Sequence, residues 1–304
     1  MIIDAHQHFF EVGAPRAKGP EDYKQLALPE GIAGTILLGD QEYSLKLAAE
    51  EPLVLGVVGH VASKSGFNMG QDMPEGGSFK DQIEKWAGNP LFRGIRQTGK
   101  DLEAVPKDDS SFLAEMELLA SKDLVLDVFR IVEGGFGGPA SFAGYTGSPR
   151  ALEVLERVAQ CVPKLRILVC HIAHCPITEK PMPKFWQDKF RRMAAHPNIY
   201  VKVSGLMERA LWRSPNGGYP NERAPQMPSY YRPTLDALWE IFGEDRLMYG
   251  SDWPVCEHAG DYVGDGLGIV RPYFAEKGRE AYDKFFWKNS MKAYHWKPRS
   301  ASQQ

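Results

Sequence analysis

The first apolar run of the chain ends in two histidines separated by one residue, in the stretch IIDAHQH. Side chains two positions apart on a β-strand point to the same side, so His6 and His8 can bring their imidazoles to one point. Imidazole nitrogens bind divalent metals and can also polarise a carbonyl group. Asp4 has the same side parity as His6 but lies deeper, and we expect it to orient a neighbour or to satisfy backbone groups.

Two later runs end in residues that suit the same chemistry, His171 in RILVCHI and Asp252 in RLMYGSD. Three imidazoles and one carboxylate are typical of a zinc or similar divalent site, where the ion lowers the pKa of bound water. We therefore predict one divalent metal, zinc first, bound by His6, His8, His171 and Asp252, with His171 and Asp252 as catalytic residues. A metal-free site stays open, in which these groups polarise a carbonyl directly and Asp252 is the base that activates water.

Further polar or aromatic side chains lie at or near the ends of apolar runs, and we predict that they bind substrate: Arg96, Arg130, His174, Lys202 and Trp253. The forked guanidinium of arginine suits a carboxylate. Lys202 lies in the middle of its run, where a buried ammonium needs an anionic partner. Charged groups are costly to bury, so their recurrence at run ends indicates a functional surface.

The runs that carry these residues alternate with segments of helical spacing. Most runs are rich in Val, Ile and Leu and are bounded by Gly, Pro, Asn or Asp, as buried parallel strands are. They cover residues 2–8, 34–39, 54–61, 93–97, 124–130, 166–172, 199–205 and 246–252. This alternation predicts an α/β fold, a (β/α)8 (TIM) barrel that forms one domain over residues 1–304. A doubly wound open sheet is the alternative, but no G-x-G-x-x-G or P-loop follows the first run.

The carboxyl ends of the strands form the active face of such a barrel. Three long segments rich in Gly and Pro interrupt the alternation, at residues 66–77, 133–147 and 213–233. Loops of this length in a compact domain are usually functional, and we expect them to cover the active face.

The composition of the chain argues against some classes of binding partner. The chain has 304 residues, a formal net charge of -3 and 43% hydrophobic residues. It has no long basic run, so we do not expect it to bind nucleic acid, and no apolar stretch approaches the ~20 residues that cross a membrane. The first residues lack a basic n-region, and we expect a cytoplasmic protein with reduced cysteines, a small-molecule substrate and possible assembly into a homo-oligomer.

Taken together, the stretches IDAHQHFF, RGIRQ, LVCHIAHCP and MYGSDWPV resemble the amidohydrolase superfamily, in particular the branch known as amidohydrolase 2. That branch includes sugar-acid lactonases and 2-pyrone-4,6-dicarboxylate lactonase. The resemblance implies a hydrolase that opens a small lactone, with His6, His8, His171 and Asp252 as its centre. It further implies that Asp252 activates water and returns a proton to the leaving oxygen, and that Arg96 contacts a carboxylate or ring oxygen of the substrate.

The chain departs from that branch after its sixth run. The branch commonly has H-x-G-K-P there, whereas this chain reads HIAHCP, with one residue more and no lysine, and His174 could take over a polar role. Two other functions stay open. One is a metal-dependent decarboxylase or hydratase of the same superfamily, and the other, less favoured, is a sugar-acid-binding protein without catalysis.

Overall fold

A computed structural model of the chain describes residues 1–10, 18–61, 77–132, 148–210, 224–259 and 263–304. Each predicted run supplies one strand, and nearly every strand residue is buried, as in parallel sheets that are covered on both faces. The strands are β1 (Ile2–Gln7), β2 (Ile32–Leu38), β3 (Val54–Gly59), β4 (Phe92–Thr98), β5 (Val125–Phe129), β6 (Ile167–Val169), β7 (Ile199–Val203) and β8 (Leu247–Tyr249).

Helices connect the strands, and local sequence signals explain where some of them begin. Ser148 caps one helix by accepting a hydrogen bond from the backbone N–H of Ala151 at 3.1 Å, and Pro149 takes its first position. The α-helices within the described residues are α1 (Pro20–Ala27), α2 (Gln41–Glu50), α3 (Phe79–Ala87), α4 (Gly99–Glu103), α5 (Ser110–Ser121), α6 (Pro149–Cys161), α7 (Lys184–Ala194), α8 (Leu206–Ala210), α9 (Pro228–Phe242), α10 (Val263–Glu276), α11 (Arg279–Asp283) and α12 (Asn289–Tyr294). None of these helices has both the length and the apolar content needed to cross a bilayer.

Each strand pairs in parallel with the next one in the chain, so the strands follow one another around the sheet in sequence order. The sheet closes between β8 and β1. The backbone N–H of Asp252 donates to the carbonyl of His6, and the N–H of His8 donates to the carbonyl of Trp253, each at 2.8 Å. This arrangement confirms the predicted (β/α)8 barrel.

Alternate residues of a strand face the helices and the barrel interior. Ile167 and Val169 of β6 belong to the large core between sheet and helices, whereas Leu168 belongs to a second cluster inside the barrel. Tyr294 and Trp296, at and after the end of α12, also belong to this inner cluster. The polypeptide then continues to the first residues of β2 and β3, where Gln303 and Arg299 donate to backbone carbonyls at 2.8 and 2.7 Å. The C-terminal segment therefore closes the amino-terminal end of the barrel, and the carboxyl end is left for the site.

Strands β6 and β8 end three residues before their runs do, a larger difference than at any other strand. The runs 166–172 and 246–252 keep strand geometry only as far as Val169 and Tyr249. His171 and Asp252 then have φ angles of 53° and 62°, which cannot continue a strand.

The long segment predicted at 213–233 also ends early, because α9 begins at Pro228. Its residues 213–223 lie outside the described residues, as do residues 66–76 of the predicted loop 66–77 and the whole of the predicted loop 133–147.

Candidate active site

The four residues predicted to form the centre meet at the carboxyl end of the barrel. Nε2 of His6 and Nε2 of His8 each lie 3.5 Å from Oδ1 of Asp252, and Nδ1 of His171 lies 3.5 Å from Oδ2. The His8 side chain is 13% exposed and the other three are almost fully buried. We call this group the His–Asp centre.

An irregularity in β1 turns His6 toward the centre. The pairing of β1 with β2 shifts register between Asp4 and Gln7. His6 faces the barrel interior, with Nδ1 3.4 Å from Nζ of Lys202, whereas the Asp4 carboxylate contacts the hydroxyl of Tyr23 in α1. The expectation that Asp4 and His6 share a side is therefore wrong, because an extra residue at a register shift changes side-chain parity.

The backbone after β6 forms a left-handed turn of four buried residues. His171, Ile172, Ala173 and His174 have φ angles of 53°, 46°, 52° and 65°. Non-glycine residues rarely adopt this region, and a run of four costs several kcal/mol by order of magnitude, about 1–2 kcal/mol for each residue. The turn places the rings of His171 and His174 in edge-to-face contact, with centroids 5.3 Å apart. Strain of this kind is typical of functional sites.

Hydrogen bonds orient two of the imidazoles. Nδ1 of His8 lies 2.7 Å from the backbone carbonyl of Leu38, so this nitrogen donates and Nε2 keeps its lone pair toward Asp252. Nδ1 of His171 lies 3.0 Å from Oγ of Ser204, and Nε2 lies 3.3 Å from Nη2 of Arg96. A histidine whose other nitrogen donates to a carbonyl is the usual arrangement around a protein-bound metal.

Burial keeps the imidazoles neutral and favours the protonated form of the carboxylate. It lowers the pKa of His8 to about 3, and it lowers the pKa of His6 and of His171 well below the usual value. Burial also raises the pKa of Asp252 to about 7, although the positive charges of Arg96 and Arg209 oppose this rise. Neutral imidazoles are the form that binds a metal, and a carboxylate with a pKa near neutrality can take up a proton from water.

The donor set of the His–Asp centre fits a divalent metal. One ligand atom from each of His6, His171 and Asp252 lies within 4.8 Å of the others. Nε2 of His6 is buried and has no hydrogen-bond partner among the described residues. Nitrogen donors from neutral imidazoles, together with a carboxylate, are the set that zinc and similar ions take.

A second carboxyl group, that of Glu208, lies next to the centre and is not among the residues predicted from the sequence. A Cβ on Gly205, whose φ is +61°, would lie 2.8 Å from Oε2 of Glu208, 3.5 Å from Nδ1 of His171 and 3.6 Å from Oδ2 of Asp252. Burial raises the pKa of Glu208 to about 7. The stretch SGLMERA carries no recognisable motif, and the only available signal was a polar residue shortly after the seventh strand.

Two arginines and a histidine predicted to bind substrate lie together beside the centre. The Cζ atoms of Arg96 and Arg130 lie 4.1 and 5.6 Å from the ring centroid of Phe129, and the His174 ring lies 6.0 Å from it. Within the described part of the chain, Arg96 forms no ion pair, and Nδ1 of His174 is buried without a hydrogen-bond partner. This group can therefore receive polar or anionic atoms of a ligand.

Lys202 and Trp253, which were also predicted to bind substrate, are surrounded by protein groups. Lys202 is fully buried, and its Nζ lies 2.5 Å from Oδ2 of Asp127. Trp253 is fully buried, its ring centroid lies 5.2 Å from that of Tyr23, and its Nε1 donates to Glu257 at 2.9 Å. Contacts of Lys202 and Trp253 with a substrate stay predictions. Their surroundings favour a role in holding neighbouring protein groups in position.

Comparison with known proteins agrees with this architecture. The family model described as "Amidohydrolase" matches residues 3–296. The chain is 30% identical over 283 residues to an L-fucono-1,5-lactonase of Burkholderia ambifaria, which covers 86% of the chain and 83% of that protein. It is 24% identical over 220 residues to an L-rhamnono-gamma-lactonase of Scheffersomyces stipitis, covering 67% and 59%.

Solved structures share the fold. An amidohydrolase of Burkholderia multivorans with bound zinc superposes with a TM-score of 0.69 at 21% identity, over 98% of this chain and 100% of that one. A 5-carboxyvanillate decarboxylase of Sphingomonas paucimobilis superposes with a TM-score of 0.61 at 11% identity, over 97% and 99%.

The Asp4 carboxylate ties β1 to β8 at the base of the centre. Oδ1 accepts from the backbone N–H groups of Ser251 at 2.8 Å and His6 at 3.1 Å. Oδ2 accepts from the hydroxyls of Ser251 at 2.5 Å and Tyr23 at 2.6 Å. These bonds fix the backbone on both sides of the seam, next to His6 and next to Asp252.

We expect Asp4→Asn to lower the free energy of unfolding by about 2–3 kcal/mol, because an amide can accept on only one of its two terminal atoms and leaves buried donors unsatisfied. Urea denaturation measures this change, with Asp188→Asn on exposed α7 as the matched control. In a double-mutant cycle, Asp4→Asn and Ser251→Ala should be coupled by about 0.5–3 kcal/mol. Additive effects would contradict the role of these two side chains in one hydrogen-bond network.

Proposed function

The chain belongs to the amidohydrolase family, and from this premise we propose that it is a hydrolase that opens a small lactone by water attack on the ester carbonyl of the ring. The observation that carries the proposal is the convergence of Asp252 with three neutral imidazoles in a buried centre, each within 3.5 Å of the carboxylate. The lactonase relatives support the reaction class.

In this proposal Asp252 is the general base. Its carboxylate takes a proton from the attacking water, and it returns a proton to the ring oxygen when the ester bond breaks. His171 lies between the Asp252 carboxylate and Arg96. From there, His171 and Arg96 can stabilise the negative charge that develops on the carbonyl oxygen of the substrate. Burial strengthens these interactions because little water screens them.

We propose that His6, His8, His171 and Asp252 hold one divalent metal, with zinc as the first choice for this set of nitrogen and carboxylate donors. When bound, such an ion polarises a carbonyl and lowers the pKa of water. Leu38 would keep His8 in the tautomer that presents Nε2.

We propose that Arg96, Arg130 and His174 bind the substituents of the lactone, and that a sugar acid or a dicarboxylate supplies the ring. A carboxylate or several hydroxyls on the substrate would pair with the guanidinium of Arg96, which stacks on Phe129. Lys202 and Trp253 would act less directly, through His6 and through the packing of the β1–β8 seam.

A panel of sugar-acid and dicarboxylate lactones, followed by acid release, tests the function. Asp252→Asn should lower kcat by roughly 10²- to 10⁴-fold, because the amide cannot take up the proton of water. Asp188→Asn, on the exposed face of α7, should leave kcat unchanged. Turnover by Asp252→Asn at the wild-type rate would contradict the role of Asp252 as the general base. Release of carbon dioxide without ring opening would favour a decarboxylase.

Removal of the metal distinguishes a metal-dependent centre from a centre whose side chains act without metal. We expect a chelator to remove about one ion per chain and to abolish turnover, and we expect added zinc to restore it, because ester polarisation would depend on the ion. Elemental analysis and acid release measured on the same samples check this. Full turnover by protein that contains no metal would favour direct catalysis by the side chains.

Replacement of Arg96 tests substrate recognition. Arg96→Met should raise KM for carboxylate-bearing lactones by roughly 10- to 100-fold, since a hydrogen bond to a charged group is worth about 1.5–3 kcal/mol. Neutral sugar lactones should be affected less. Arg191→Met, on the exposed surface of α7, is the control, and an equal rise in KM for both substrate classes would argue against recognition of a carboxylate by Arg96.

A further inference from the structure

On the inner side of the His6 ring, a buried lysine lies among groups that can bind a metal. Nζ of Lys202 is 2.5 Å from Oδ2 of Asp127 and 3.4 Å from Nδ1 of His6. Sγ of Cys170 is 3.8 Å from the same oxygen of Asp127. All four side chains are fully buried or nearly so.

The three neighbours of Lys202 form a ligand set of their own. One ligand atom from each of His6, Asp127 and Cys170 lies within 4.8 Å of the others. A nitrogen, an oxygen and a sulfur donor suit zinc or cobalt. The sulfur distinguishes this set from the His–Asp centre, whose ligands are nitrogen and oxygen.

His6 faces the two sets with different nitrogens. Its Nε2 points to Asp252 in the His–Asp centre, and its Nδ1 points to the Lys202 ammonium. The imidazole of His6 therefore lies between the His–Asp centre and the inner set formed with Asp127 and Cys170. The Lys202 ammonium already lies beside this inner set.

We propose that the Lys202 ammonium occupies a second cation position, formed by His6, Asp127 and Cys170, and thereby limits the site to one metal ion. The ammonium neutralises Asp127, whose two carboxylate oxygens also accept from the hydroxyl of Tyr294 at 3.0 and 3.2 Å. A divalent ion added beside it would place like charges in close contact inside a medium of low dielectric constant. This inference rests on the proposed metal centre only for the outer ion.

Lys202→Met tests the proposal, because it removes the ammonium and keeps an unbranched side chain. The full-length variant and the wild type are each saturated with Co²⁺, passed through a desalting column and assayed for cobalt by elemental analysis. We expect Lys202→Met to bind one more cobalt ion per chain than the wild type. We also expect it to show a sulfur-to-cobalt charge-transfer band in the near ultraviolet, since Cys170 loses its proton when it binds a metal.

Two further variants identify the inner ligands. Lys202→Met with Cys170→Ser should lose the charge-transfer band, and Lys202→Arg, which keeps a cation, should bind no additional cobalt. A folded Lys202→Met variant with wild-type cobalt content and no new band would overturn the proposal.

The wild type offers a test that does not depend on the folding of Lys202→Met. Cys170→Ser alone should leave its cobalt content and spectrum unchanged. A sulfur-to-cobalt band in the wild type that Cys170→Ser removes would show that Lys202 does not exclude the ion, and would overturn the proposal. If the proposed metal site at the His–Asp centre is wrong, the result differs from a failure of the Lys202 proposal. Lys202→Met would then bind a single cobalt ion with a sulfur-to-cobalt band, while the wild type would bind none.

Discussion

The seam between the first and last strands is the constraint on which the centre depends. His6 and His8 lie on β1, Asp252 follows β8, and 240 or more residues of chain separate them. Two backbone hydrogen bonds of 2.8 Å and the carboxylate of Asp4 hold these strand ends together. Closure of the barrel and assembly of the centre are therefore one event, and a defect in the seam would affect both.

The centre is costly to build, and the surrounding structure offsets that cost. Burial without partners would destabilise Asp252, and the three imidazoles can remain buried because they are neutral. The left-handed turn at 171–174 adds backbone strain, which persists because β6 holds the residues before it and the large core between sheet and helices buries Cys175 and Ile177 after it. Below the centre, Lys202 and Asp127 form an ion pair, so these two buried charges neutralise each other.

The sequence predicts the barrel and the main residues of the centre because both follow from simple periodicities. Apolar runs of strand length locate the eight strands, and polar residues at run ends locate the face that carries the candidate site. Side-chain parity predicts which face a residue takes only where pairing is regular, and the register shift in β1 is why it predicts the wrong side for Asp4. Parity also leaves depth undetermined: Lys202 has the parity of Ser204, yet it lies one layer further inside and pairs with Asp127.

Glu208 shows a different limit. It lies on a helix of five residues after β7, and nothing in its local pattern marks it; only the approach of that helix to His171 and Asp252 does. Gly205 permits this approach, because any side chain there would fill the space between the two carboxyl groups. The site is thus arranged in two layers. The inner layer, with Lys202 and Asp127, orients a ring and balances charge, whereas the outer layer, with Arg96 beside His171, keeps a cation that a ligand can neutralise.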